Sequence, residues 1–127
     1  MPRVVHFEIP TENPEKTIAF YEKAFGWQIK KWDGPQDYWL VCTGGDDEMG
    51  INGAIMRKTD AYGVRNTIGV EDIDEALRKV EKAGGKVILP SSPVEGVGDW
   101  ALCEDPDGNF FGLIKPHDMG GKACRRS

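Results

Sequence analysis

The chain writes nearly the same phrase twice: EKAFGWQI at residues 22–29 and EKAGGKVI at residues 81–88, the second beginning 59 positions after the first. In a sequence of 127 residues that period covers most of the molecule. A chain that repeats itself is read first as related units that bury a shared apolar face. The repeat predicts one domain over 1–127, made of module one at 1–60, module two at 61–116 and a tail at 117–127.

Local patterns give the two modules the same element order. Val4, Val5, Phe7 and Ile9, with His6 and Glu8 interleaved, alternate at period two, the mark of a strand whose faces meet different surroundings. Asn13 then stands as a helix cap before Pro14, and Thr17, Phe20, Tyr21, Ala24 and Phe25 recur at i, i+3, i+4 as a buried face until Gly26. Residues 27–32, 38–43 and 51–57 read as three more strands, separated by Gly34-Pro35 and by the polar Gly44-Gly45-Asp46-Asp47.

The order returns in module two. Residues 66–70 are rich in β-formers, Asp72 with Glu75 opens a helix in capping-box fashion, and Ile73, Ala76, Leu77 and Val80 supply its buried stripe. Strands are expected at 86–89, 100–103 and 110–114, with a loop from Pro90 to Gly98 and a turn at Asp105-Pro106-Asp107-Gly108. The tail HDMGGKACRRS loses periodicity and reads as a loose or docking end.

Composition narrows the partners. A net charge of −5 repels phosphate backbones, and the pairs Lys30-Lys31 and Arg125-Arg126 are too small to reverse it, so no nucleic acid is expected. No apolar run approaches the roughly 20 residues that span a bilayer, so no membrane is expected either. Cys42, Cys103 and Cys124 show no C-x-x-C spacing and follow no signal-like leader, which points to a reducing cytoplasm. The tryptophans and phenylalanines exceed what a small monomer easily hides, which points to a homodimer.

At this point the chain resembles a family. VHFEIPTENPEKTIAFYEKAFGW and DPDGNFFGLI are similar in order and spacing to the first and last strands of the vicinal oxygen chelate superfamily, which includes glyoxalase I, bleomycin resistance proteins and extradiol dioxygenases. The resemblance covers about residues 3–116. It implies an α+β fold of two pseudo-symmetric βαβββ modules forming a curled mixed sheet around an open cleft, often in a dimer. It also implies, for glyoxalase-like members, one divalent metal held by four side chains from the first and last strands of each module.

Carried onto this chain through the repeat, those four positions are His6, Gly53, Arg65 and Gly112. Two lack a side chain and one is a permanent cation, whereas an open catalytic metal site takes about three protein ligands. The expectation is therefore no cofactor, with a lyase, isomerase or dioxygenase holding a divalent metal through His6 and Glu8 as the alternative. The preferred reading is a binding protein of the glyoxalase and bleomycin-resistance type that holds a small organic molecule in the cleft, anionic if Arg65 receives it, without the usual metal site. Alternation puts His6 and Glu8 on the face opposite Phe7 and Ile9, and the repeat puts Arg65 and Thr67 on the matching face. Gly53 and Gly112 would leave room, Phe110 would add apolar lining, and Trp100 is a candidate platform. Arg65 can fork onto a carboxylate or phosphate. The plain reading of His6, Glu8 and Arg65 is a hydrogen bond or ion pair internal to the sheet. Cys42 and Cys103 read as apolar fillers rather than nucleophiles.

Overall fold

The computed structural model describes residues 1–58, 63–94 and 96–117. The chain runs β1 (Arg3–Thr11), α1 (Pro14–Phe25), β2 (Gln28–Lys31), β3 (Tyr38–Cys42), β4 (Gly53–Arg57), β5 (Arg65–Gly69), α2 (Ile73–Lys82), β6 (Lys86–Val94), β7 (Gly98–Glu104) and β8 (Phe110–Pro116). This is the α+β arrangement βαβββ written twice, as the repeat demands. The described chain divides into two compact units, one of His6–Val64 and one of Met1–Val5 with the residues from Arg65 onward. The chain thus divides four residues after the boundary expected at 60/61, and Met1–Val5 belong with the second module. Of the expected tail, His117 alone is described, and residues 118–127 lie outside the described residues.

In the first unit β1 runs parallel to β4 with Phe7 opposite Gly53, and β3 lies antiparallel between β4 and β2. The helix begins where the sequence says it should. Asn13 Oδ1 accepts from the Lys16 amide, Pro14 takes the first turn, and Gly26 closes the helix in the left-handed conformation at φ 71°. A cap of this kind is worth about 0.5–2 kcal/mol. The ring of Tyr21 stacks on Trp27 with centroids 4.8 Å apart, and Phe7 lies 6.0 Å from Trp27.

The apolar stripe of α1 departs from expectation. Phe20 and Phe25 are 57% and 63% exposed rather than buried. Tyr21 and Trp27 stack on each other, and Phe20 and Phe25 pack against the Tyr21 ring from outside.

In the second unit the strands lie in the order β5-β8-β7-β6, with β5 and β8 parallel and the rest antiparallel. Asp72 Oδ1 accepts from the Glu75 amide to start α2. Ile73 and Leu77 of α2 pack on Val70, Ala101, Cys103 and Leu113, the core the sequence stripe foretold. Ile68 joins that core, so the alternating Thr67 belongs to the opposite face.

The expected loop from Pro90 to Gly98 is not there. β6 continues to Val94 through Pro90 and Pro93, and β7 already starts at Gly98. β6 ends its row of strands, so its outward positions need no amide donor and tolerate proline, and two register irregularities absorb the misfit. Among the described residues no helix is long and apolar enough to cross a membrane.

Candidate functional site

The sequence-picked residues fall into two local groups. In the first unit, His6 Nε2 lies 3.1 Å from the Tyr38 hydroxyl, and that hydroxyl donates to Glu8 Oε2 at 3.0 Å. Glu8 is 5% exposed, a depth at which carboxylates are seldom found without partners. Strand alternation brings His6 and Glu8 to one face of β1, and Tyr38, at the start of β3, spans the gap between them. Tyr38 was missed in the sequence, where it read only as a strand residue; its contact depends on pairing across β4, which no local pattern reports.

Burial lowers the pKa of the His6 imidazole below its ordinary value, against a smaller opposing pull from the Glu8 charge. The folded chain thus disfavours the protonated ring, while the unfolded chain takes its proton near pH 6.5. The unfolded state binds more protons below that point, so the stability contributed by neutral His6 is present above it and lost as the pH falls. Chemical denaturation from pH 7.5 to 5 should show this slope in the parent, and His6→Gln should flatten it.

Gly53 also lies in this unit, but its missing side chain leaves no ligand space. A Cβ there would stand 2.5 Å from both the Phe7 carbonyl oxygen and the Phe7 ring. Gly53 is needed so that β1 and its aromatic residue can approach.

The second group gathers Arg65, Thr67, Trp100 and Gly112. Thr67 and Gly112 are register partners on β5 and β8, and a Cβ at Gly112 would sit 2.9 Å from Trp100 Nε1 and 3.0 Å from Thr67 Oγ1. The room at Gly112 is therefore filled by two polar groups. The Arg65 guanidinium stands 6.0 Å from the Trp100 ring centroid, in cation–π range. Thr67 is 1% exposed, and its hydroxyl is the buried side-chain polar atom without a hydrogen-bond partner among the described residues. An orphaned hydroxyl of this kind costs about 1–3 kcal/mol. Phe110, half-buried, lies two residues from Gly112 on the same face of β8.

Cys103 behaves as the filler it was read to be. Burial, with the nearby Glu81 charge, pushes its thiol up to about 11, so it carries no thiolate near neutrality.

Comparison with known proteins places the chain. Residues 3–113 match the Glyoxalase/Bleomycin resistance protein/Dioxygenase superfamily, and the chain belongs to it. It is 32% identical over 115 residues to a Mycobacterium bovis protein named "Putative glyoxylase CFP32", covering 86% of this chain and 42% of that protein. The chain thus spans well under half the length of that relative. It is 29% identical over 124 residues to a lactoylglutathione lyase of Neisseria meningitidis serogroup A, covering 89% of this chain and 90% of that protein. A crystal structure of methylmalonyl-CoA epimerase from Mycobacterium tuberculosis shares the fold, with a TM-score of 0.67, 15% identity, and coverage of 91% of this chain and 88% of that one.

The lyase likeness overturns the expectation of no cofactor, because the glyoxalase-type members of the superfamily hold a divalent metal. The residues present do not reproduce the four-ligand set by which they do so. Gly53 pairs with Phe7 and so lies on the face opposite His6 and Glu8, against the placement expected from the repeat; Ala54, which pairs with Glu8, and Gly112 offer no donor, Arg65 is cationic, and among the described residues no group of three or more His, Cys, Asp or Glu side chains could hold an ion.

Proposed function

We propose that the protein binds a small, anionic organic molecule on the sheet face of module two. The observation that carries the reading is the orphaned Thr67 hydroxyl, buried against Gly112 beside the indole N–H of Trp100. Folded chains rarely leave such a group unmatched, and a partner outside the chain is one of the few explanations for it. In this reading Arg65 supplies the charge for a carboxylate or phosphate, Thr67 and Trp100 Nε1 supply neutral hydrogen bonds, and Phe110 lends apolar contact. Trp100 Nε1 and the Thr67 hydroxyl both border the space that a side chain at 112 would fill, so one ligand atom placed there can meet both.

Thermal stability against a panel of small carboxylates and phosphate esters tests this. A ligand at about 100 times its dissociation constant adds about 2.7 kcal/mol to the folded state. Arg65→Ala should erase the response of any anion that the parent recognises. A panel hit that Arg65→Ala and Trp100→Phe bind as tightly as the parent would refute the assignment.

The second reading is a metal-dependent lyase or isomerase, favoured by the likeness to the Neisseria lactoylglutathione lyase along nearly its whole length. Elemental analysis of protein purified without chelator separates the two. Stoichiometric zinc, nickel, iron or manganese would favour the enzyme.

Self-association belongs to the same proposal. Phe20 and Phe25, with ring centroids 6.3 Å apart and both more than half exposed, form an apolar patch on α1 that a second copy would cover. Sedimentation at micromolar concentration should give a dimer for the parent and a monomer for Phe20→Ser/Phe25→Ser. A monomeric parent would remove the claim.

A further inference from the structure

We infer that Tyr38 is a positioning residue which, with Glu8 behind it, holds His6 as the Nε2–H tautomer and so presents the Nδ1 lone pair as an acceptor for the hydroxyl of a bound ligand. The argument is a count of hydrogens. A tyrosine hydroxyl has one, and here it goes to Glu8 Oε2 at 3.0 Å. The same oxygen lies 3.1 Å from His6 Nε2, so it can only accept there, and Nε2 must carry the hydrogen. A neutral imidazole has one N–H, which leaves Nδ1 as the acceptor.

Two observations mark Nδ1 as the nitrogen on offer. It has no hydrogen-bond partner among the described residues, and it is not closed off from solvent as the Thr67 hydroxyl is. The chain of contacts Glu8–Tyr38–His6 has the logic by which an orienting carboxylate fixes the working nitrogen of a histidine, with a phenol inserted between them. It lies wholly within the first unit and stands whether or not module two binds anything.

The imidazole nitrogens report this directly. The chain has two histidines, His6 and His117, so a His117→Gln background leaves one ring to follow by long-range ¹H–¹⁵N correlation. The parent at pH 7.5 should show a protonated Nε2 and a bare Nδ1. Glu8→Gln keeps an acceptor for the Tyr38 hydroxyl and should retain that pattern. Tyr38→Phe and Glu8→Ala should give mixed tautomers while amide spectra stay folded, an outcome that simple loss of packing would not separate from Glu8→Gln. Glycolate, which carries a hydroxyl donor, should shift the parent Nδ1 resonance, and acetate, which lacks it, should not. A protonated Nδ1 in the parent, a tautomer indifferent to both Tyr38→Phe and Glu8→Ala, or equal shifts with glycolate and acetate would each overturn the assignment.

Discussion

Gly98→Ala should lower the melting temperature of the protein more than any other glycine substitution in module two. Gly98 opens β7 at φ 149°, where side chains other than hydrogen are strained, and a Cβ would collide with the Lys115 carbonyl oxygen. The next atom in its path, Pro116 Cα at 2.8 Å, is also main chain, so no side chain can rotate to relieve the contact. Backbone strain costs about 1–3 kcal/mol and overpacking a similar amount, so a loss of about 3–5 kcal/mol is expected. For a chain of this size that lowers the midpoint by roughly 10–20 °C. Gly108→Ala isolates the conformational part, since Gly108 has φ 87° but nothing within 4 Å of its virtual Cβ. Calorimetry that found the two variants equally stable would show that the β7–β8 pairing at Gly98 and Pro116 is looser than described.

Thr67→Val should make the protein more stable and less able to bind. Valine keeps the shape of threonine and replaces a buried hydroxyl that has no partner among the described residues. Removing that unmatched group returns about 1–3 kcal/mol, or a gain of roughly 3–10 °C. If the hydroxyl is kept for a ligand, the same change should weaken binding of any anion found in the carboxylate and phosphate-ester panel at least tenfold, about 1.4 kcal/mol. Opposite movements of stability and affinity are the signature of a group retained for function. Thr67→Ser discriminates further, since it keeps the hydroxyl and should keep binding despite the lost methyl. Higher stability with unchanged affinity would mean that Thr67 faces a site nothing occupies.

The two βαβββ modules were legible in the sequence because each rests on a local signal. Asn13-Pro14 and Asp72-Glu75 start helices through caps a few residues long, and the stripe Ile73, Ala76, Leu77, Val80 declares its buried side within one helix. What failed needed knowledge of neighbours. Pro90 and Pro93 argued for a loop, and only the outermost place of β6 in its row makes them tolerable in a strand. Phe20 and Phe25 argued for burial, and only the stacking of Tyr21 on Trp27 leaves them outside. For the candidate site, alternation found the faces of His6, Glu8, Arg65 and Thr67, whereas the role of Tyr38 comes from contacts 32 and 30 residues away in sequence.

Gly53 and Gly112 stand 59 positions apart, yet strand pairing puts them on unlike faces: Gly53 lies opposite Phe7 and meets its main chain and ring, whereas Gly112 lies opposite Thr67 and meets an indole and a hydroxyl. The repeat therefore slips by one residue between the first and the last strand of a module. Counted by pairing rather than by period, the place in module one that answers to Gly112 beside Thr67 is Ala54 beside Glu8. An odd slip turns a side chain through to the other face of a sheet, so a carboxylate grafted by the 59-residue period would enter the helix-facing core of module one and not the side that His6 and Glu8 share.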